Sequence, residues 1–174
     1  MNEIEIKLRV GSFDGIRERL SELGFVMKNK DVEKTSFFDE ASGRLKSGDI
    51  TVRIKEGSGW SAFAVKKKRH DDNYKIAEEY ETDISDPKAM TEALAALGLE
   101  SKFEYSKERE HWTDGRSSVE VDHIPEIGGL FVEVEAETAD KIEEIIKALG
   151  LQEAERDKRS YPDIIREFRA GRQA

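Results

Sequence analysis

Glu3-Ile4-Glu5-Ile6-Lys7-Leu8-Arg9-Val10 is the stretch that decides the fold. Ile4, Ile6, Leu8 and Val10 take one parity, and Glu3, Glu5, Lys7 and Arg9 take the other. A side-chain period of two is that of a β-strand with one face in a core. The opposite face then carries two acids followed by two bases. Charged doublets at alternate positions recur down the chain. The acids are Glu79 and Glu81, then Glu133 and Glu135, with Asp122 on its own. The bases are Arg53 and Lys55, Lys66 and Lys68, Lys107 and Arg109. Spacing of two sets each pair on one face of its strand, about 6–7 Å apart.

Outward from that strand, turn and cap residues mark the other elements. Ser12 predicts the N-cap of a helix carrying Ile16, Leu20 and Leu23, closed by Gly24. Residues 25–39 read as extended, and Ser42 to Asp49 as loop. Residues 50–56 and 60–68 form a hairpin around Gly57-Ser58-Gly59, and Asp71-Asp72-Asn73 breaks the chain before a strand over 77–85. Asp86-Pro87 starts a second helix, with Asp as cap and Pro in the first turn. Residues 101–112 and 117–124 pair around Asp114-Gly115, and a strand over 130–137 precedes a helix ended by Gly150. A short helix follows in the tail. A strand, a helix ending in Leu-Gly and three more strands occur twice. The count predicts an α+β protein: a closed eight-stranded antiparallel β-barrel, a tunnel with a polar lumen and helices packed outside. Residues 1–174 read as one domain, with a tail helix over 160–169 as a plug for one end.

Charged residues make up 39% of the 174 residues, well above the quarter or so that is usual, and the net charge is −9. The acidic balance argues against general nucleic-acid binding. Without cysteine, disulfides and zinc–thiolate sites are excluded. No apolar run approaches the ~20 residues of a membrane-spanning helix, and the N-terminus lacks a signal-peptide layout, which leads to a cytoplasmic expectation. His70, His111 and His123 lack a mutual spacing suited to a metal.

A solvated sheet face carries mixed charge too, and for any one strand that is the commoner case. Taken together the strands differ from it, because they use acid or base doublets where Thr, Ser, Gln and Asn are usual. In a closed lumen both signs are costly to desolvate unless paired or liganded. Paired carboxylates suit hard cations such as Mg²⁺ or Mn²⁺, and Lys and Arg suit phosphate oxygens.

The N-terminal Glu3-x-Glu5-x-Lys7 resembles the ExExK signature of the CYTH superfamily, the triphosphate tunnel metalloenzymes. Phe37-Phe38-Asp39, Arg53-x-Lys55, Lys66, Glu79-x-Glu81, Lys107-x-Arg109, Asp122, Glu133-x-Glu135 and the Arg159-Ser160-Tyr161 tail resemble its later strands in order. The resemblance runs from residue 3 to about 168 and is strongest to members of the class IV adenylyl cyclase type. It implies metal ligation by Glu3, Glu5, Glu133 and Glu135, with Asp122 holding a second metal or orienting a base. It implies phosphate binding by Lys7, Arg53, Lys55, Lys66, Lys107 and Arg109. Glu79, Glu81, Arg9 and Lys68 would be catalytic or supporting. The implied cofactor is Mg²⁺ or Mn²⁺. The implied partner is ATP or another triphosphate, without nucleic acid or membrane, and homodimerisation stays open. The implied reaction is conversion of ATP to cyclic AMP and pyrophosphate. Hydrolysis of tripolyphosphate, a nucleoside triphosphate or thiamine triphosphate is the alternative, and a non-catalytic polyphosphate-binding module is a third. Phe37 and Phe38 depart from the tyrosine that the thiamine triphosphatases carry, so neither aromatic can move a proton.

Overall fold

The computed structural model describes residues 2–69 and 75–172, with side chains from 4 to 68 and from 77 to 172. His70, the Asp71-Asp72-Asn73 break and the Glu3 side chain lie outside that set. The described residues form nine strands and five α-helices. The strands are β1 (Asn2–Val10), β2 (Val26–Asp39), β3 (Ile50–Gly57), β4 (Trp60–Arg69), β5 (Lys75–Asp83), β6 (Glu100–Thr113), β7 (Ser118–Ile124), β8 (Gly129–Ala136) and β9 (Glu155–Arg156). The helices are α1 (Ile16–Glu22), α2 (Arg44–Ser47), α3 (Pro87–Ala96), α4 (Ala139–Ala148) and α5 (Tyr161–Gly171).

All nine strands join one antiparallel sheet in the order β5-β4-β3-β2-β6-β7-β8-β1-β9. The sheet curls so that β1 also meets β5, over Asn2–Glu5. Further along the same edge, Leu8 and Arg9 pair with Arg156 and Glu155 of β9. The expected closed eight-stranded barrel is thus corrected to a nine-stranded, curled half-barrel. The reason is that β1 divides one edge between two partners, and the short β9 takes the half that β5 does not reach. A two-residue strand has no periodicity, so the sequence carries no sign of it.

The helix signals follow their local chemistry. Asp86 caps α3 by accepting from the Ala89 amide at 2.9 Å. Ser12 does not cap α1: its hydroxyl accepts from Asp14, and α1 begins after Gly15. The 42–49 loop contains the single-turn α2, whose Leu45 and Lys46 amides are held by Asp39 at 2.9 and 3.0 Å. The Leu-Gly echo is a shared way of ending a helix. At α1, Gly24 turns left-handed at φ 85° and the Phe25 amide reaches back to Leu20 at 2.9 Å; Gly150 and Leu151 repeat this at α4.

The two faces of the sheet pack differently. On the apolar face, Ile6, Leu8, Val119, Val121, Val132 and Val134 bury against Ile16 and Leu20 of α1, Ile142 and Ile146 of α4, and Leu149 at the end of α4. Each such side chain contributes about 1.5–3 kcal/mol on burial. Val52, Ile54 and Phe38 pack with Leu94 of α3 in a second cluster. A third cluster joins Phe103, Tyr105, Ile124 and Phe131 to Tyr161, Ile164 and Ile165 of α5. Those strand residues share parity with Lys107, Arg109, Asp122, Glu133 and Glu135. Helix α5 therefore packs on the charged face, at its apolar end, whereas α1, α3 and α4 pack on the apolar face.

Candidate functional site

The charged face lines a cavity of about 630 Å³. Eleven Lys or Arg side chains and nine Asp or Glu side chains surround it, a small positive excess on a chain whose net charge is −9. Of the residues singled out in the sequence, Glu5, Lys7, Arg53, Lys55, Lys66, Lys68, Glu79, Glu81, Lys107, Arg109, Glu133 and Glu135 line it. Two do not, and the Glu3 side chain lies outside the described residues. Arg9 stacks over the Phe131 ring at 5.1 Å. Asp122 is fully buried beneath the wall.

The cations fall into two groups. On β3, β4 and β5, Arg53 pairs with Glu79 at 2.7 Å, Lys66 with Glu79 at 3.0 Å, and Lys55 with Glu81 at 2.5 Å. Lys66 also approaches Glu5 at 3.7 Å. Burial pushes the Glu79 carboxyl up, but Arg53 and Lys66 outweigh it and hold it at about 2. Burial and the neighbouring Arg53 hold the Lys55 ammonium below the ordinary lysine value. The buried Nε of Arg53 has no hydrogen-bond acceptor among the described residues. An unsatisfied buried donor costs about 1–3 kcal/mol, so it suits an anion in the cavity.

The second group sits on β1 and β6. Arg109 gives two hydrogen bonds to Asp122, at 2.5 and 2.6 Å, and one to Glu133 at 2.7 Å. Lys107, 4% exposed, lies between Glu33 at 3.5 Å and Asp122 at 3.6 Å. Lys7, 1% exposed, donates to the Arg159 carbonyl and lies 4.3 Å from the centre of the Tyr161 ring. Burial pushes Glu33 up, yet Lys107, Arg109, Lys55 and Arg53 together hold it at about 2. Burial and Arg109 lower Lys107, but Asp122 and Glu33 raise it above its ordinary value.

Sequence reasoning passed over Glu33 and Glu120. Both were accessible to the same doublet rule, as Asp31-x-Glu33 and Glu120-x-Asp122. Glu120 lines the cavity opposite Glu133 in the β7–β8 register. Asp31 departs from Glu33 and instead holds the β3–β4 turn, accepting from the Ser58 amide at 2.6 Å and Trp60 Nε1 at 2.9 Å. Lys46 of α2, Lys158 after β9 and Arg166 of α5 also line the cavity from outside the main strands, and Lys102 lines it from β6 at the parity opposite to Lys107 and Arg109.

Glu5 and Glu135 are opposite partners on β1 and β8, and Glu133 follows on the same face. Among the described residues no three acids or histidines gather into a metal-binding group. Two facing carboxylates still fit Mg²⁺, which is commonly held by one or two carboxylates, water and the substrate's phosphates.

Known proteins resemble this chain over nearly its full length. A Methanocaldococcus jannaschii protein, provisionally named an adenylate cyclase, is 25% identical over 94% of this chain and 98% of its own. A Vibrio parahaemolyticus structure, described provisionally in the same way, superposes with a TM-score of 0.82 at 22% identity, covering 94% of this chain and 97% of its own. A Hippeastrum structure, described as a provisional adenylyl cyclase with a dominant triphosphatase activity, shares the fold with a TM-score of 0.65 at 21% identity, covering 95% of each chain. The model of the CYTH domain matches residues 1–161, and the chain belongs to that family.

Proposed function

We propose that this chain is a metal-dependent enzyme that takes a nucleoside triphosphate into its cavity and cyclises it with release of pyrophosphate, as an adenylyl cyclase does. The observation that carries the reading is the cavity's lining: an excess of Lys and Arg, including a buried Arg53 donor without an acceptor among the described residues, beside facing carboxylates. Phosphoryl and nucleotidyl transfer depend mainly on positioning and charge neutralisation, which such a lining supplies. Lys7, Lys107 and Arg109 would hold the phosphate chain from one wall, and Arg53, Lys55 and Lys66 from the other. Glu5, Glu133 and Glu135, with Glu3, would hold Mg²⁺ or Mn²⁺, which when bound neutralises phosphate charge. Asp122 and Glu33 orient Arg109 and Lys107 and are better suited to that than to metal. The ribose 3′-oxygen attacks the α-phosphorus as its bond to the bridging oxygen breaks. The 3′-hydroxyl proton goes to a carboxylate of the lining or to solvent, because Lys55, paired with Glu81 at 2.5 Å, serves as an ammonium for the phosphate chain. A volume of about 630 Å³ lies in the range of about 300–1,000 Å³ that accepts whole drug-sized ligands, leaving room for the nucleoside.

One observation favours a second reading, hydrolysis of a compact triphosphate. The apolar end of the charged face is already filled by Phe37, Phe103 and Tyr105, whose centres are 6.0–6.3 Å apart, and by α5. A nucleobase therefore has no ready slot among those rings. Incubation with ATP or with tripolyphosphate, in Mg²⁺ and in Mn²⁺, separates the two. Cyclic AMP with pyrophosphate supports the first, and phosphate from tripolyphosphate supports the second. No product from either substrate sinks both.

A further inference from the structure

Lys7 lies on the first strand, Lys107 and Arg109 on the sixth, and the three meet at one residue of the C-terminal segment. The Tyr161 hydroxyl donates to Asp122 Oδ2 at 2.7 Å. The same carboxylate takes both hydrogen bonds from Arg109 and faces Lys107. The face of the Tyr161 ring receives Lys7 at 4.3 Å and Lys107 at 5.2 Å. Lys7 also donates to the carbonyl of Arg159, two residues before the ring.

The segment is itself tightly placed. The Asp157 amide donates to the Lys7 carbonyl at 2.8 Å, and β9 pairs beside it. Ser160 caps α5, with Pro162 in the first turn. The Tyr161 ring meets Phe131 edge-on at 5.2 Å and Tyr105 at 6.0 Å. As an apolar anchor alone, phenylalanine would serve equally well, and a buried hydroxyl is costly unless bonded. That hydroxyl is directed at a fully buried carboxylate that orients two site cations.

We infer that Tyr161 is a positioning residue for the phosphate-binding cations: its hydroxyl sets Asp122 against Arg109 and Lys107, and its ring seats the ammonium of Lys7. The C-terminal segment is then part of the binding site and more than a cover for an apolar end. The affinity part of this inference rests on the triphosphate reading above.

Two variants test it, Tyr161→Phe and Tyr161→Leu, with two readouts. The first is tripolyphosphate binding with Mg²⁺, measured by calorimetry. The second is acylation of individual lysines by an amine reagent, measured by peptide mass spectrometry on the folded protein. Tyr161→Phe keeps the ring and loses the charge-assisted hydrogen bond, and affinity is expected to fall about tenfold. Tyr161→Leu loses the cation–π contacts as well, and affinity is expected to fall about a hundredfold. In Tyr161→Leu, acylation of Lys7 is expected to rise severalfold while that of the exposed Lys88 stays unchanged. In Tyr161→Phe, Lys7 is expected to stay protected, a rescue by the ring alone. A purely structural residue would change melting temperature, or label every lysine faster, without this order of affinities. Binding within twofold of the parent in Tyr161→Phe, with Lys7 equally protected in both variants, overturns the inference. A parent chain that fails to bind tripolyphosphate overturns the triphosphate reading alone, and Lys7 acylation then decides the role of Tyr161. Should Tyr161→Leu unfold, the tenfold loss in Tyr161→Phe is the deciding result.

Discussion

The two walls of the cavity carry the same kinds of residue and use them differently. On the β3–β5 wall, Arg53, Lys55 and Lys66 pair directly with acids that also line the cavity, Glu79 and Glu81. On the β1–β6 wall, Lys107 and Arg109 are backed by Asp122, which is 0% exposed, and Lys107 also by Glu33, at 6%. A backing carboxylate cannot be displaced by a ligand, so it fixes its cation in place. A lining carboxylate competes with the ligand for its cation. The β1–β6 wall is thus a preorganised frame, and under the proposed function the β3–β5 wall would exchange partners as an anion enters.

The hardest test of the frame is Asp122→Asn. It leaves Arg109 and Lys107 buried with less counter-charge, and breaking a buried pair costs about 3–5 kcal/mol. A large drop in melting temperature is expected, and a loss below about 1 kcal/mol would show that the wall is not a frame.

Acid unfolding probes the same wall through Glu33. Its carboxyl is held at about 2 when folded, against an ordinary value near 4.5. A folded value below the unfolded one means the stabilisation is complete above pH 4.5 and is lost as pH falls toward 2. A shift of that size is worth on the order of 3 kcal/mol. In Glu33→Gln the slope of stability against pH between 4.5 and 2 is expected to flatten, and an unchanged slope refutes the assignment.

A change of the same type on the other wall is expected to act in the opposite sense on binding. Glu79→Gln removes the acid that competes for Arg53 and Lys66. Tripolyphosphate affinity is expected to rise about threefold, since a freed charge contact is typically worth about 0.2–1 kcal/mol. Weaker binding would place Glu79 with the backing carboxylates.

The smallest effect concerns His111, at the edge of the frame. The hydrogen bond its ring Nδ1 donates to Glu120 at 2.7 Å is the main reason that its imidazole titrates above the usual value. A raised folded value means this stabilisation is full below the ordinary imidazole value of 6.5 and fades as pH rises through the folded one. His111→Gln is expected to cost a few tenths of a kcal/mol near pH 6 and nothing near pH 9, read from urea unfolding at the two values.

Much of both walls was legible in the sequence, residue by residue. Lys107-x-Arg109 and Glu133-x-Glu135 could be assigned to one face because a strand repeats every second residue. The Asp86-Pro87 start of α3 was legible because a cap is a local hydrogen bond. Glu33 was not seen, since its importance comes from lying opposite Lys107, 74 residues later, in the β2–β6 register. Asp122 was seen as an acid, but its burial depends on Tyr161, 39 residues away.

Alternation within each strand determined which side chains share a face, and composition determined that this face would be charged. Both are local properties of a chain whose side chains point to opposite sides at successive residues. Tertiary structure alone decided that the sheet curls instead of closing as an eight-stranded barrel, because β9 takes part of an edge that β5 would otherwise hold. It also decided which carboxylates back a cation from beneath the wall and which line the cavity beside one. That distinction depends on burial and on partners far apart in sequence, and neither is encoded in a spacing of two.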